Sequence, residues 1–159
     1  YDLYGNKDMS TTEIITNSSQ ETKKVGKELA AAIIMEKTGQ KHALVIALKG
    51  DLGSGKTTFI QGLAAGLGIK ENVLSPTFVI QKDFFLSLKK YKNFYHIDAY
   101  RLKNPKELLE LGFDDLVKTP ENIIIIEWAD KIRKILPKNT IWISFKNLEN
   151  DVRKIVYTL

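Results

Sequence analysis

The sequence predicts an α/β fold: a mainly parallel central sheet with antiparallel additions and flanking helices. Three observations carry this. The run Ile123-Ile124-Ile125-Ile126 is wholly apolar, the pattern of a strand covered on both faces in a parallel sheet. Ala43 to Leu48 is a second short apolar run, followed by Gly50, Gly53 and Gly55 and then by a helical stretch from Thr57 to Leu67. Strand, glycine loop and helix thus form one unit. Finally, Val79 to Phe85 with Asn93 to Ala99, and Thr140 to Phe145 with Val152 to Tyr157, read as strand pairs joined by short connections. These supply the antiparallel edges.

Taken in order, residues 1–10 show no pattern and read as a tag or disordered leader, with Met9 an alternative start. Residues 11–159 are expected to form a single domain. Thr11 to Thr16 suits a short edge strand. Gln20 to Glu36 places Val25, Leu29, Ala32 and Ile33 at helical spacing. Ser18 or Ser19 is the expected N-cap, with Gln20 or Glu21 in the first turn and an end near Gly39. In the second helix Gly62 and Gly66 stand four apart on one face. Each sacrifices roughly 1 kcal/mol of helix propensity against alanine, so a close backbone approach is expected there. Pro76 excludes helix and holds its segment extended. Lys89-Lys90-Tyr91-Lys92, the densest basic stretch, reads as a solvated hairpin tip. Pro105 starts a helix, Gly112 stops it, and Phe113 to Val117 is a further short turn. Ala129 to Ile135 is a short helix stopped by Pro137.

The chain has 159 residues, 43% of them hydrophobic, enough for a real core but with little room for a large substrate lid. It has no cysteine, which excludes a disulfide framework, a thiol nucleophile and a cysteine metal site. No apolar run reaches membrane-spanning length and no long apolar segment marks a signal peptide, so a soluble, cytoplasmic protein is expected. The net charge of +5, from 24 Lys+Arg against 19 Asp+Glu, suits contact with RNA or an acidic protein. It suits a merely solubilising surface as well.

Gly50-Asp51-Leu52-Gly53-Ser54-Gly55-Lys56-Thr57 fits G-x-x-x-x-G-K-[ST], the phosphate-binding P-loop. Its glycines allow backbone angles that a side chain forbids, and the loop can turn N–H groups around phosphate oxygens. The following helix N-terminus adds positive charge at the same point. Lys56 is expected at the β- and γ-phosphates and the Thr57 hydroxyl on Mg2+. The fold class is accordingly a P-loop NTPase fold. Ligands in open α/β sheets bind at the carboxyl ends of strands, where Glu127 and Asp98 both fall. Glu127 can hold Mg2+ or be an ordinary strand-end carboxylate. Asp98 can bind Mg2+ through water, orient an attacking water, or pair with Arg101. His96 shares a face with Asp98 and reads more simply as a core residue. Thr77 suits a γ-phosphate sensor or a plain turn, and Trp128 suits core packing or an exposed contact.

The ordered set of motifs resembles the TsaE (YjeE) family of bacterial tRNA threonylcarbamoyladenosine biosynthesis ATPases. The matching pieces are Gly50 to Thr58, Asn72 to Phe78, His96-Ile97-Asp98-Ala99-Tyr100-Arg101-Leu102, Pro105 to Leu108, Leu111-Gly112 and Glu127-Trp128. They cover about residues 13–145. The P-loop alone is common, whereas the ordered set is much more specific. Asp98-Ala99-Tyr100-Arg101 stands where Asp-Leu-Tyr-Arg is common, and the stretch from Phe84 to Lys92 varies in length among relatives.

The resemblance implies a small ATPase using ATP and Mg2+ and acting with two partners, TsaB and TsaD. Together they place threonylcarbamoyl on adenosine 37 of tRNAs that read codons beginning with A. ATP hydrolysis would reset the TsaB–TsaD complex and so support multiple turnover, with tRNA reached through the complex. Position by position it implies that Gly53, Ser54, Gly55, Lys56, Thr57 and Thr58 bind the nucleotide. Thr57 and Glu127 would hold the metal, and Lys56, Asp98 and Thr77 would act at the γ-phosphate. A small-molecule P-loop kinase and a non-catalytic nucleotide-sensing module are the alternatives. Against the kinase, the chain has only three arginines, Arg101, Arg133 and Arg153, and no evident lid.

Overall fold

A computed structural model describes residues 11–37, 39–76 and 78–158, without the side chain of Thr158. The expected leader, residues 1–10, and the site candidate Thr77 lie outside the described residues. The elements run β1 (Thr11–Thr16), α1 (Ser19–Met35), β2 (Leu44–Gly50), α2 (Lys56–Gly66), β3 (Gln81–Phe85), β4 (Asn93–Asp98), α3 (Lys106–Glu110) and α4 (Phe113–Lys118). They continue with β5 (Asn122–Glu127), a 3₁₀ segment (Ala129–Ile135), β6 (Ile141–Asn147) and β7 (Arg153–Thr158).

All seven strands join one sheet in the order β1-β7-β6-β2-β5-β4-β3. The central strands β6, β2, β5 and β4 are parallel. Strands β3, β7 and β1 each join the sheet antiparallel to a neighbour. This is the mixed sheet of a P-loop α/β fold, as the sequence predicts.

Alternation along β2 and β5 divides the core into two layers. Ile46, Leu48, Ile123 and Ile125 pack with Phe59 and Leu63 of α2 on one face. Val45, Ala47, Ile124 and Ile126 pack with Leu108, Phe113 and Ile132 on the other. All four isoleucines of β5 are fully buried. Each contributes about 1.5–3 kcal/mol by leaving water, so the strand that carries Glu127 is a rigid mount.

The α1–α2 contact bears out the glycine reading. A Cβ on Gly62 would stand 2.0 Å from the Lys23 carbonyl oxygen, and one on Gly66 would stand 2.6 Å from Ala30 Cβ. Gly26 of α1 is the matching notch, where a Cβ would stand 2.3 Å from the Phe59 carbonyl oxygen. The N-cap of α1 is Ser18, whose Oγ accepts from Glu21 N–H at 3.1 Å. Glu21 in turn accepts from the Asn17 N–H, one residue earlier than in a standard capping box.

Some local expectations shift. Helix α1 ends at Met35, short of Gly39. Strand β3 begins at Gln81 because the Pro76 carbonyl accepts from the N–H groups of Val79 and Ile80, making a turn there. Ile80 has φ +64°, an unfavourable angle for a β-branched residue. The stretch around Lys89 is not a wholly solvated tip, since Tyr91 is buried in the α2-side core. The segment before Pro137 is 3₁₀ rather than α, broken by non-helical angles at Ile132. No helix among the described residues is long and apolar enough to cross a membrane.

Candidate functional site

Gly50, Gly53 and Gly55 adopt φ of +149°, +75° and +98°, so the loop from β2 to α2 follows a path closed to side chains. Gly55 is the N-cap of α2. The first helical bond runs from Phe59 N–H to the Gly55 carbonyl. The N–H groups of the turn from Lys56 to Thr58 therefore point out of the helix start. Lys56 folds back across the loop, donating to the carbonyls of Gly50 at 2.6 Å and Asp51 at 2.8 Å. Its ammonium also lies 4.3 Å from the centre of the Trp128 ring. Burial lowers the Lys56 pKa, and the nearby charges of Glu127, Asp51, Asp98 and Asp130 partly oppose the shift. The balance leaves a cation poorly solvated by water and ready for an anion.

Strands β4 and β5 pair in parallel with Asp98 opposite Glu127. That register sends Phe94, His96 and Asp98 of β4, and Ile123, Ile125 and Glu127 of β5, to the α2 face. Glu127, buried, accepts from the Thr57 hydroxyl at 3.1 Å. Its same oxygen lies 2.9 Å from His96 Nε2. An ionised carboxylate only accepts, so Nε2 is the protonated ring nitrogen in that contact. Nδ1 is buried without a hydrogen-bond partner. His96 therefore does more than fill the core: it fixes the direction of Glu127.

Asp98 is oriented by two donors, the Ser75 hydroxyl at 3.0 Å and the Tyr100 N–H at 2.9 Å. The alternative pairing with Arg101 is not formed, because that guanidinium lies over the Phe78 ring at 4.9 Å. Trp128 has φ +56° and ψ +36°, a left-handed turn immediately after Glu127. The turn leaves the indole half-buried beside the Tyr100 ring and over Lys56. It thus belongs to the site wall, between the core and exposed alternatives.

Leu52 to Thr58, Glu127, Trp128 and Arg153 line one concavity at the carboxyl edge of the parallel strands. Structure thus gathers Gly53, Ser54, Gly55, Lys56, Thr57, Thr58 and Glu127, with Asp98 at the strand end beside Glu127. Sequence reasoning weighs His96 but reads it as a core residue, and it does not single out Arg153. For His96 a signal existed, its shared face with Asp98. For Arg153, at the start of the last strand, none did.

Among the described residues no group of three or more His, Asp or Glu converges as a metal cage. The paired Thr57 hydroxyl and Glu127 carboxylate are instead a small set of hard oxygen donors. That set fits Mg2+, which is commonly held by one or two carboxylates together with waters and substrate phosphates.

Comparison with known proteins agrees with this geometry. The family model for threonylcarbamoyl adenosine biosynthesis protein TsaE matches residues 16–155. The tRNA threonylcarbamoyladenosine biosynthesis protein TsaE of Bacillus subtilis is 38% identical over 143 residues, covering 90% of this chain and 82% of its own. Its counterpart in Haemophilus influenzae is 36% identical over 130 residues, covering 82% of this chain and 78% of its own. The crystal structure of YdiB from Bacillus subtilis superposes with a TM-score of 0.72 at 33% identity, covering 94% of this chain and 86% of that one.

Proposed function

The chain belongs to the TsaE family of threonylcarbamoyl adenosine biosynthesis proteins, and from that premise we propose that it is a Mg2+-dependent ATPase subunit of the tRNA threonylcarbamoyladenosine machinery. Its substrate is ATP, and its partners are TsaB and TsaD. Hydrolysis serves repeated turnover of the modification of adenosine 37, and tRNA is met through the complex in the cytoplasm. The observation that carries the reading is the convergence of a P-loop lysine and threonine with a buried, oriented carboxylate, at Lys56, Thr57 and Glu127.

The side chains divide the work. Backbone N–H groups of Gly53 to Thr58 receive phosphate oxygens, and α2 adds the positive end of its dipole. Lys56 exchanges its bonds to the Gly50 and Asp51 carbonyls for the β- and γ-phosphates. Thr57 and Glu127 hold the metal, with His96 keeping the Glu127 carboxylate aimed. Mg2+, when bound, neutralises charge on the β- and γ-phosphates. Asp98, clamped by Ser75 and Tyr100, orients the attacking water and receives its proton. Thr77 reports the γ-phosphate from the segment that precedes β3. A shallow site leaves the reacting phosphate wet, where electrostatic stabilisation is weak. Slow hydrolysis by the isolated subunit and acceleration by the docked partners follow.

The test is product analysis of the purified chain with ATP and Mg2+, alone and with TsaB–TsaD. ADP and phosphate in equal amounts, formed faster with partners, are expected. ADP without phosphate, formed only with an added acceptor, would establish the kinase instead. No turnover even with partners would leave a sensing module.

A further inference from the structure

Arg153 enters the phosphate site from the far end of the chain. It is the first residue of β7, paired with Thr16 of β1 and Asn147 of β6. Because β7 runs antiparallel to β6, its first residue lies at the carboxyl edge of the parallel strands, where the loop also lies. The hairpin turn before it holds Asn150 and Asp151 at φ +48° and +64°. The arginine side chain then crosses directly over Gly55. A Cβ on Gly55 would meet Arg153 Cδ at 2.6 Å and Nε at 2.8 Å. Only a glycine at that position leaves the arginine its path.

The guanidinium is poorly satisfied where it sits. Arg153 is 9% exposed. Its Nε is buried without a hydrogen-bond partner, and Nη1 makes only a long 3.4 Å contact with the Asp151 carbonyl. Among the described residues its charge has no carboxylate partner. A buried cation without a counter-charge is costly, and this one lines the same concavity as Ser54 to Thr58. The missing partner is an anion, and a phosphate suits the planar fork of arginine.

Sheet order indicates which phosphate. Strands β7 and β5 lie on opposite sides of β2. Thr57 and Lys56 face the β5 side, towards Glu127 and Trp128, which places the metal and γ-phosphate there. Arg153 comes from the β7 side, over the Gly55 position that Thr22 of α1 also approaches. We infer that Arg153 is a nucleotide-binding residue, contacting the phosphates that ATP and ADP share rather than the γ-phosphate. The inference rests on the nucleotide reading above and adds a ligand contact to it.

The experiment is titration calorimetry of the full chain with Mg-ATP and Mg-ADP, comparing wild type with Arg153→Met, Arg153→Lys and Arg153→Ala. Methionine keeps an unbranched apolar cover over Gly55 and removes the charge, which separates packing from phosphate binding. Arg153→Met is expected to weaken ATP and ADP by the same factor, about tenfold or more, the loss of one charge-assisted contact. Arg153→Lys is expected to recover part of it, and Arg153→Ala to match methionine if it folds. Wild-type affinities in Arg153→Met would overturn the inference while leaving the nucleotide reading intact. Loss confined to ATP would also overturn it, by moving the contact to the γ-phosphate. A wild-type chain that binds neither nucleotide would overturn the underlying reading itself.

Discussion

Replacing Gly62 by alanine tests how the cradle is mounted. Helix α2 begins at the phosphate loop and is held by α1, and the closest approach of the two is at Gly62. The added methyl would stand 2.0 Å from the Lys23 carbonyl oxygen and 2.7 Å from its carbonyl carbon and Cα. Those atoms are backbone, so no side chain can rotate away, and α1 must move by an ångström or more to restore ordinary contact. Overpacking of this kind costs typically about 1–3 kcal/mol, and a clash with backbone belongs at the upper end. Alanine recovers roughly 1 kcal/mol of helix propensity. The net loss is therefore about 2 kcal/mol, or a fall in Tm of roughly 4–8 °C for a chain of this size. Thermal unfolding followed by circular dichroism reads it, with Gly39→Ala as control, since a Cβ there meets nothing within 4 Å. An unchanged or raised Tm in Gly62→Ala would refute the close α1–α2 packing.

Three further outcomes follow from the site. Lys56→Ala should abolish hydrolysis and leave the circular dichroism spectrum unchanged; turnover at the wild-type rate in a folded variant would exclude the phosphate role of the loop. Glu127→Gln and Thr57→Ala should each raise the Mg2+ midpoint of activity about tenfold or more, because the first removes the carboxylate charge and the second the hydroxyl oxygen; unchanged midpoints in both would count against the metal role. Burial lowers the Lys56 pKa from 10.5. Nucleotide affinity should therefore fall as pH rises through a value below 10.5, where the ammonium is lost. In that same window the unfolded chain binds more protons, so the Lys56 contribution to folding stability rises with pH. Binding and melting curves across alkaline pH, compared with Lys56→Ala, should show these opposite trends.

What the sequence made legible was local. The spacing of Gly50, Gly53, Gly55, Lys56 and Thr57 dictates a loop and a helix start with no help from distant residues. The four isoleucines ending in Glu127 similarly announce a buried strand with a carboxylate at its tip. Gly62 and Gly66 announced a close approach, but their mate, Gly26, could be recognised only once α1 was docked. The contact between His96 and Glu127 depends on the register of two parallel strands, which no adjacent residues encode. Arg153 depends on a hairpin returning its first residue to the loop edge, a consequence of sheet order. The buried Tyr91 shows the converse limit: a lysine-rich stretch can be solvated at its charges and anchored at its ring.

Nucleotide coupling of the subunit is read most directly from its affinity for TsaB–TsaD in ATP, ADP and no nucleotide. Turnover should be followed alongside in the wild type and in Asp98→Ala. ATP should tighten the complex, and by linkage the partners should tighten ATP by the same factor. Asp98→Ala should bind the partners in ATP yet fail to turn over, as the proposed role of its carboxylate at the water and not at the partner requires. Equal affinity in all three nucleotide states, with no change of rate on adding the partners, would contradict the account.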